Sequence, residues 1–418
     1  MSKTNPFNLI ANTRFDVIIK YLYARSILTN KGTKYYKNIY REHLKCWNGF
    51  KEYNNPNKNT FDIFDETFKS LIYNFKTYGF DENISKLAVQ DNSFLLNGAH
   101  RLAAALATNV DVHYYNGIDG KNGQLNCDYK MFEGLGLDST YLDLTAIEYA
   151  KIKPNSLVVC LFPVCNSDLD NVISLISSCA NIFYKKDIKL NSQGAFNLMR
   201  ELYLGESWAG NWNNNYDGFR TKANLCFPDG DFNMTSILID VPDVNTAVSL
   251  KDKIRDIFKV GKHSVHINDT HDQTVRLVKS LFNDNSLHFL CNSKTVNFSK
   301  FRSYMNQYTK LLYDNNVDCD DYCVTASGSI AVYGLRESSD IDYLHTGDKL
   351  QGSSLISSHN EYGVGLYEKT PEEIVYDNNL HFYHRGLKFT SLDQVKKLKI
   401  TRNEPKDITD IQLIDSVI

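Results

Sequence analysis

Asp340 and Asp342 stand one residue apart near the end of "ASGSIAVYGLRESSDIDYLH", residues 326–345. The alternation Asp340-Ile341-Asp342-Tyr343-Leu344 predicts a strand. Residues i and i+2 of a strand share a face, so both carboxylates point the same way. Like charges that close repel unless something neutralises them. A divalent cation does so, and carboxylate oxygens suit Mg2+ or Mn2+, with water and substrate phosphate completing the shell. Upstream, "CVTASGSIAVYGLR" predicts a strand, a tight turn at Gly328-Ser329 and a short helix. Backbone N–H groups at such a turn hold phosphate. A phosphate cradle therefore precedes a metal-binding pair. The plainer alternative is a solvated strand end, since a lone Asp-x-Asp is common.

Taken together, these residues resemble the polymerase-beta-like nucleotidyltransferase superfamily, whose mark is Gly-Ser followed by Asp-x-Asp on a strand. The resemblance implies a nucleoside triphosphate substrate, with Mg2+ or Mn2+ held by Asp340 and Asp342 as catalytic ligands. It implies Gly328 and Ser329 at the triphosphate, and Arg336 and Ser339 beside the phosphates. The family usually adds a third carboxylate from a later strand. Glu373 and Asp377 precede the strand-like "LHFYHRGLKF", and Asp377 is the better placed as that catalytic acid. The tail "VKKLKITRNEPKDITDIQLI", with Lys406, Asp407 and Asp410, resembles the family's C-terminal helices. Its alternative is an amphipathic helix with a solvated charged face.

A second stretch, "LLNGAHRLAAALA", carries strand residues into Asn97-Gly98 and predicts a helix from near Ala99. A helix start bearing His100 and Arg101 attracts anions through both its dipole and its side chains. The stretch resembles the ParB/sulfiredoxin-like fold, whose Gly-x-His-Arg turn binds nucleotide phosphates. The resemblance implies Gly98, His100 and Arg101 at phosphate. Sulfiredoxins place a catalytic cysteine between the Gly and the His; here Ala99 stands there, so sulfinic acid repair is not expected. Some members of that fold phosphorylate small hydroxyl substrates, with Glu52 and Asp65 as candidate bases here, and others bind nucleic acid. The alternative is a capped structural helix.

In the middle, "KIRDIFKVGKHSVHINDTHDQTVRLVKSLF" holds His263, His266 and His271. The β-rich "HSVHI" argues against a metal site on one helix face. His266 reads as a phosphate-handling residue ahead of a helix capped by Asp269 or Thr270. The stretch resembles nucleoside diphosphate kinase, in Ile254-Arg255-Asp256 and in His266 followed by Asp272. That implies a catalytic His266 and a nucleotide-binding Arg255 on a ferredoxin-like domain. Phe162 stands where the family has lysine, and Ile267 where it has glycine. A modified or vestigial phosphate site is therefore expected, or a satisfied histidine in a packed turn.

The supporting framework is α+β and multidomain. Residues 1–150 are expected to form a helical segment with the ParB/sulfiredoxin-like domain. Residues 151–295 would form the ferredoxin-like domain, and 296–418 the polymerase-beta-like nucleotidyltransferase domain. Phe61, Phe64, Phe68, Ile72 and Phe75 recur at helical spacing, and Gly79 ends that helix. Turns are expected at Asp91-Asn92 and through "NGIDGKNGQ", and a linker near 291–300. The 418 residues are 42% hydrophobic and 23% charged, and the net charge of −3 gives no general attraction to nucleic acid or anionic membrane. No run of apolar residues is long enough for a membrane span, and the first residues lack a signal-peptide core. Nine scattered cysteines without a C-x-x-C pair fit a reducing cytoplasm. The expected protein is a cytoplasmic, metal-dependent transferase. It joins a nucleotidyl group to a small metabolite or sugar phosphate, by association with surface-glycan synthesis, with a second, kinase activity in the N-terminal domain. The alternatives are a ParB-like nucleic-acid-binding or toxin-type defence protein, and a scaffold without chemistry.

Overall fold

A computed structural model describes residues 2–53, 55–90, 94–117, 126–211 and 214–418. The turn expected at Asp91-Asn92 and most of "NGIDGKNGQ" lie outside the described residues. Helices and strands are mixed, α+β in class, and among the described residues the strands form three sheets. Two compact units divide the chain. One comprises 1–156, 180–184 and 238–242; the other comprises 157–179, 185–237 and 243–418.

The N-terminal sheet contains β1 (Ser2–Thr4), β2 (Leu87–Gln90), β3 (Phe94–Asn97) and β4 (Val112–Asn116), ordered β1-β4-β2-β3. With it go α1 (Phe15–Thr29), α2 (Thr33–Asn48), α3 (Phe61–Tyr78), α4 (Ala99–Thr108), α5 (Tyr129–Gly134) and α6 (Ser139–Ile152). The apolar stripe of α3 is buried at Phe64, Phe68, Ile72 and Phe75. Thr60 caps its first turn, and Gly79, at φ 77°, ends it. Helix α1 carries a buried ion cluster: Asp16 lies 2.9 Å from Arg14 and 2.7 Å from Lys20. Burial pushes the Asp16 carboxyl up, but the two cations outweigh it and hold the group far below the carboxylate range.

The middle sheet contains β5 (Ser156–Leu161), β6 (Asn181–Lys189), β7 (Asn233–Asp240) and β8 (Val265–Ile267), ordered β6-β7-β5-β8. Between strands lie α7 (Leu169–Cys179), α8 (Ser192–Leu202), α9 (Asp217–Cys226) and α10 (Val244–Phe258). All six residues of β5 are buried, as its unbroken apolar run requires. β8 pairs antiparallel with β5, setting His266 opposite Cys160.

The C-terminal part opens with α11 (His271–Leu281), α12 (Asp284–Asn292) and α13 (Ser299–Asp314). Then come β9 (Tyr322–Thr325), α14 (Ser327–Val332), β10 (Ile341–His345), β11 (Ile356–Ser358), α15 (Pro371–Tyr376), β12 (His381–His384) and β13 (Leu387–Thr390). Helices α16 (Leu392–Arg402) and α17 (Pro405–Asp415) follow. The sheet order is β11-β10-β9-β13-β12. β10 runs antiparallel to β9 and parallel to β11, with Asp342 opposite both Thr325 and Ser357. Ile341 and Tyr343 are fully buried in a core that includes Val324, Phe382 and Phe389. Burying a side chain such as Ile341 contributes about 1.5–3 kcal/mol. A one-residue slip of β10 would expose this pair and bury the aspartates, so the core fixes which face the carboxylates take.

Candidate functional site

Asp340, just before β10, and Asp342, within it, line a cavity of about 650 Å³. Ser327, at the start of α14, lines it too, with its Oγ 3.3 Å from Asp340 Oδ1 and 2.7 Å from Ser338 Oγ. Ser338 in turn donates to the Asp340 carbonyl at 2.7 Å. Burial, and then the charge of Asp340, push the Asp342 carboxyl up to about 6. Two carboxylates on one face, one reluctant to ionise, form a donor set that a hard divalent cation would relieve, with water and phosphate as further ligands. Among the described residues no three His, Cys, Asp or Glu side chains group around one metal position.

The Gly-Ser pair departs from expectation. Gly328 and Ser329 are buried and do not line the cavity. A Cβ on Gly328 would meet Val324 Cγ1 at 2.6 Å, so this glycine serves close packing on β9. Ser329 donates to the Val324 carbonyl at 3.4 Å. Ala326 and Ser327 face the cavity instead, and Ala326 adopts φ 50°, ψ −125°, a conformation that favours glycine. The sequence carries no glycine there to signal the turn.

Asp377 and Glu373 are likewise not among the lining residues. Asp377 ends α15 and accepts the Asn379 N–H at 3.0 Å, a local turn that satisfies the carboxylate. Glu373 closes a capping box with Thr370. Asp410 does line the cavity, but Arg336 holds it through two nitrogens and Lys399 Nζ lies 2.7 Å away. Arg336 thus stands at the cavity already paired with Asp410.

Sequence reasoning missed most of the cationic wall. Lys399 and Arg402 of α16, and Lys406 of α17, line the cavity. Lys399 is 2% exposed and bonds Asp407 at 3.1 Å as well as Asp410. Arg402 grips Asp407 with two nitrogens, at 3.0 and 2.6 Å. Burial pushes Asp407 up, but Arg402, the Glu404 N–H and Lys399 outweigh it and hold the carboxyl well below the usual range. The available signal was the i, i+3 spacing of Lys399 and Arg402, which puts both on one helix face. His359 also lines the cavity, with Nδ1 2.8 Å from the Tyr367 hydroxyl. Burial, then Arg402, push it down to about 4, so it is neutral at pH 7.

The N-terminal turn is built differently. Gly98 caps α4 at φ 106°, and a Cβ there would meet Leu87 Cδ2 at 2.6 Å. His100 Nε2 lies 2.9 Å from the Tyr40 hydroxyl, and its ring meets Phe68 edge-on at 4.8 Å. Burial, then Lys20, hold its pKa well below the ordinary range. Arg101 donates to the Lys86 carbonyl at 2.9 Å. Histidine and arginine are therefore engaged with the protein itself. Asp65 takes the Tyr23 hydroxyl, Lys37 and Lys69, and Glu52 lies 3.1 Å from Lys58.

The middle stretch brings His266 and Arg255 to one cavity of about 500 Å³, with Lys222, Lys251 and Lys262. Tyr203 meets the His266 ring edge-on at 4.9 Å, and Trp208 also lines the space. Burial, then Lys251, push His266 down to about 4. Among the described residues no acceptor holds either of its ring nitrogens. Asp272, the acid expected nearby, is exposed in the first turn of α11, while Asp269 lines the cavity 2.7 Å from Lys251. Thr270 caps α11 in a capping box with Gln273. Phe162 is buried edge-on to Phe227, and Ile267 is buried.

Among the described residues no helix is long and apolar enough to cross a membrane. Comparison of the chain with protein-family models, with curated proteins and with solved structures gave no match.

Proposed function

We propose that the chain is a metal-dependent nucleotidyltransferase that joins a nucleoside monophosphate unit to a small metabolite or sugar phosphate. One observation carries this reading: Asp340 and Asp342 share a cavity with Lys399, Arg402 and Lys406. Two carboxylates facing cations across a space of about 650 Å³ suit a triphosphate that arrives with its counter-ion. Mg2+ or Mn2+, when bound, supplies charge neutralisation at the reacting phosphate. Asp340 and Asp342 hold it, with Ser327 orienting Asp340. Lys406, exposed and 3.1 Å from Glu404, meets the phosphate tail, and Lys399 and Arg402 keep the wall positive. His359, uncharged, and Tyr362 offer hydrogen bonds to the acceptor or the base. The sheet order β11-β10-β9-β13-β12, with the acidic strand beside the strand that leads into α14, supports a polymerase-beta-like core. A cytoplasmic setting belongs to the same reading.

The test uses the full chain with Mg2+, each α-labelled nucleoside triphosphate and a small-metabolite extract. Labelled adducts with matching pyrophosphate release are expected, and their absence with all four nucleotides overturns the reading. A second reading concerns the middle domain, whose strand order β6-β7-β5-β8 supports a ferredoxin-like fold. Four cations around His266 support phosphate binding there. With no acceptor holding the second ring nitrogen, phosphate transfer to His266 is not expected. An acid-labile label mapped to His266 after incubation with γ-labelled ATP would make it a kinase.

A further inference from the structure

A third cavity, of about 680 Å³, opens beside residues 293–298, α13 and the β12–β13 hairpin. Its apolar lining is rich in rings: Phe289, Phe301 and Phe389 are buried, and Phe298 and Tyr313 join them. Five cations line the same space: Arg200, Lys294, Arg302, Lys310 and Arg385. Arg200 is held in place, donating to Asn197 Oδ1 at 3.2 Å and Thr295 Oγ1 at 2.9 Å. Lys310 is paired with Asp314 at 2.7 Å, and among the described residues one carboxylate, Glu201, 4% exposed, lines the space. Its Oε1 lies 3.3 Å from His384 Nδ1, while Oε2 is buried with no hydrogen-bond partner among the described residues. Burial pushes the Glu201 carboxyl up, but His384, Arg276 and Arg385 outweigh it and hold it below the usual range; burial pushes His384 itself down, so the two arginines are the lasting charges. An ionised oxygen buried without a donor is a costly feature that a ligand hydroxyl would relieve.

We propose that this cavity binds a nucleoside monophosphate, at a site separate from the Asp340–Asp342 cavity. The base lies against the rings of Phe298 and Tyr313, which are not buried, where planar groups stack or meet edge-on. The phosphate is held by the arginines, whose forked donors match its oxygens. A ribose hydroxyl donates to the Glu201 carboxylate, which lines the cavity. Other anions fit less of the lining: a fatty acid offers no donor to Glu201, and a sugar phosphate leaves the rings uncovered. Helix α14 lines both cavities, with Ser327 at one and Ala331 and Val332 at the other, so occupancy of either bears on the same short helix.

The experiment is calorimetry on the full chain in EDTA, titrating AMP, GMP, CMP and UMP in turn. At least one is expected to bind. Its nucleoside, its 2′,3′-dideoxy form and ribose 5-phosphate are each expected to bind at least tenfold more weakly. Arg302 and Arg385 are exposed, so the double variant Arg302→Ala, Arg385→Ala should fold and should also lose at least tenfold. Asp340→Asn and Lys222→Ala, in the other two cavities, should leave affinity unchanged. The assignment is overturned by failure of all four nucleotides or by full affinity in the double arginine variant. Loss of binding in Asp340→Asn or Lys222→Ala overturns it too, and equal affinity of the dideoxy form removes the ribose contact.

Discussion

The Asp340–Asp342 strand and the Gly98–Arg101 turn carry the same expectation in sequence: each is a short motif whose resemblance implies phosphate handling. In three dimensions they part. Ile341 and Tyr343 fill the core and leave the carboxylates facing a cavity with a cationic wall. At the turn, Tyr40 and the Lys86 carbonyl engage the side chains that would meet a ligand. The two motifs differ less in their own residues than in what other elements bring against them. A polar side chain is available for chemistry only where the surrounding protein leaves it incompletely satisfied, as burial and Asp340 leave Asp342.

Four measurements bear on this difference. The largest effect is expected at the strand. Asp340→Asn should lower nucleotidyl transfer on the order of 10³-fold, because charge at the reacting phosphate goes unneutralised. Its circular dichroism and melting temperature should stay near wild type; retained activity would erase the distinction between the regions. Next comes the wall: Lys399→Met leaves Asp407 and Asp410 buried without their shared cation. Leaving a buried charge unpaired costs about 3–5 kcal/mol; Arg402 and Arg336 still hold the two carboxylates, so a loss below that range is expected, read by urea unfolding. A neutral result would mean that the wall is not held by its ions.

At the turn, Arg101→Ala should cost about 1.5–3 kcal/mol of stability, as loss of a charge-assisted hydrogen bond does. It should leave ATP affinity unchanged, and a tenfold weakening would return the turn to the phosphate-binding class. The smallest effect concerns Asp342, whose folded pKa of about 6 lies above the usual carboxylate value. Below about pH 4 it is protonated whether folded or unfolded; above pH 6 folding holds an unwelcome charge. Asp342→Asn should therefore stabilise the metal-free chain on the order of 1 kcal/mol at pH 8, with the gain gone by pH 4. Equal stability at both pH values would show that the carboxylate is not strained.

The periodic features were legible. The apolar stripe of α3, the start of α4 after Gly98, the Thr270 cap and the alternation through β10 all follow from local spacing. The site was half legible. The aspartates announce themselves by period two, but Ala326-Ser327 does not, because a residue other than glycine occupies the strained turn. Asp377 misleads because its carboxylate closes a local turn. Lys399 and Arg402 were hidden because their role depends on Asp407 and Asp410, from the next helix, pinning them at the cavity. Contacts between elements leave no periodic trace in a single sequence.

The ion network of α16 and α17 sets how the proposed site answers to salt. Lys399 and Asp407 are almost wholly enclosed, at 2% and 1% exposure, so mobile ions reach that pairing poorly. Lys406, 65% exposed, projects where the Debye length of about 8 Å at physiological ionic strength governs its reach. Raising salt should therefore slow the capture of an anionic ligand while leaving the shape of its seat intact. The loss would appear in the association rate, with little change in how long a captured molecule stays.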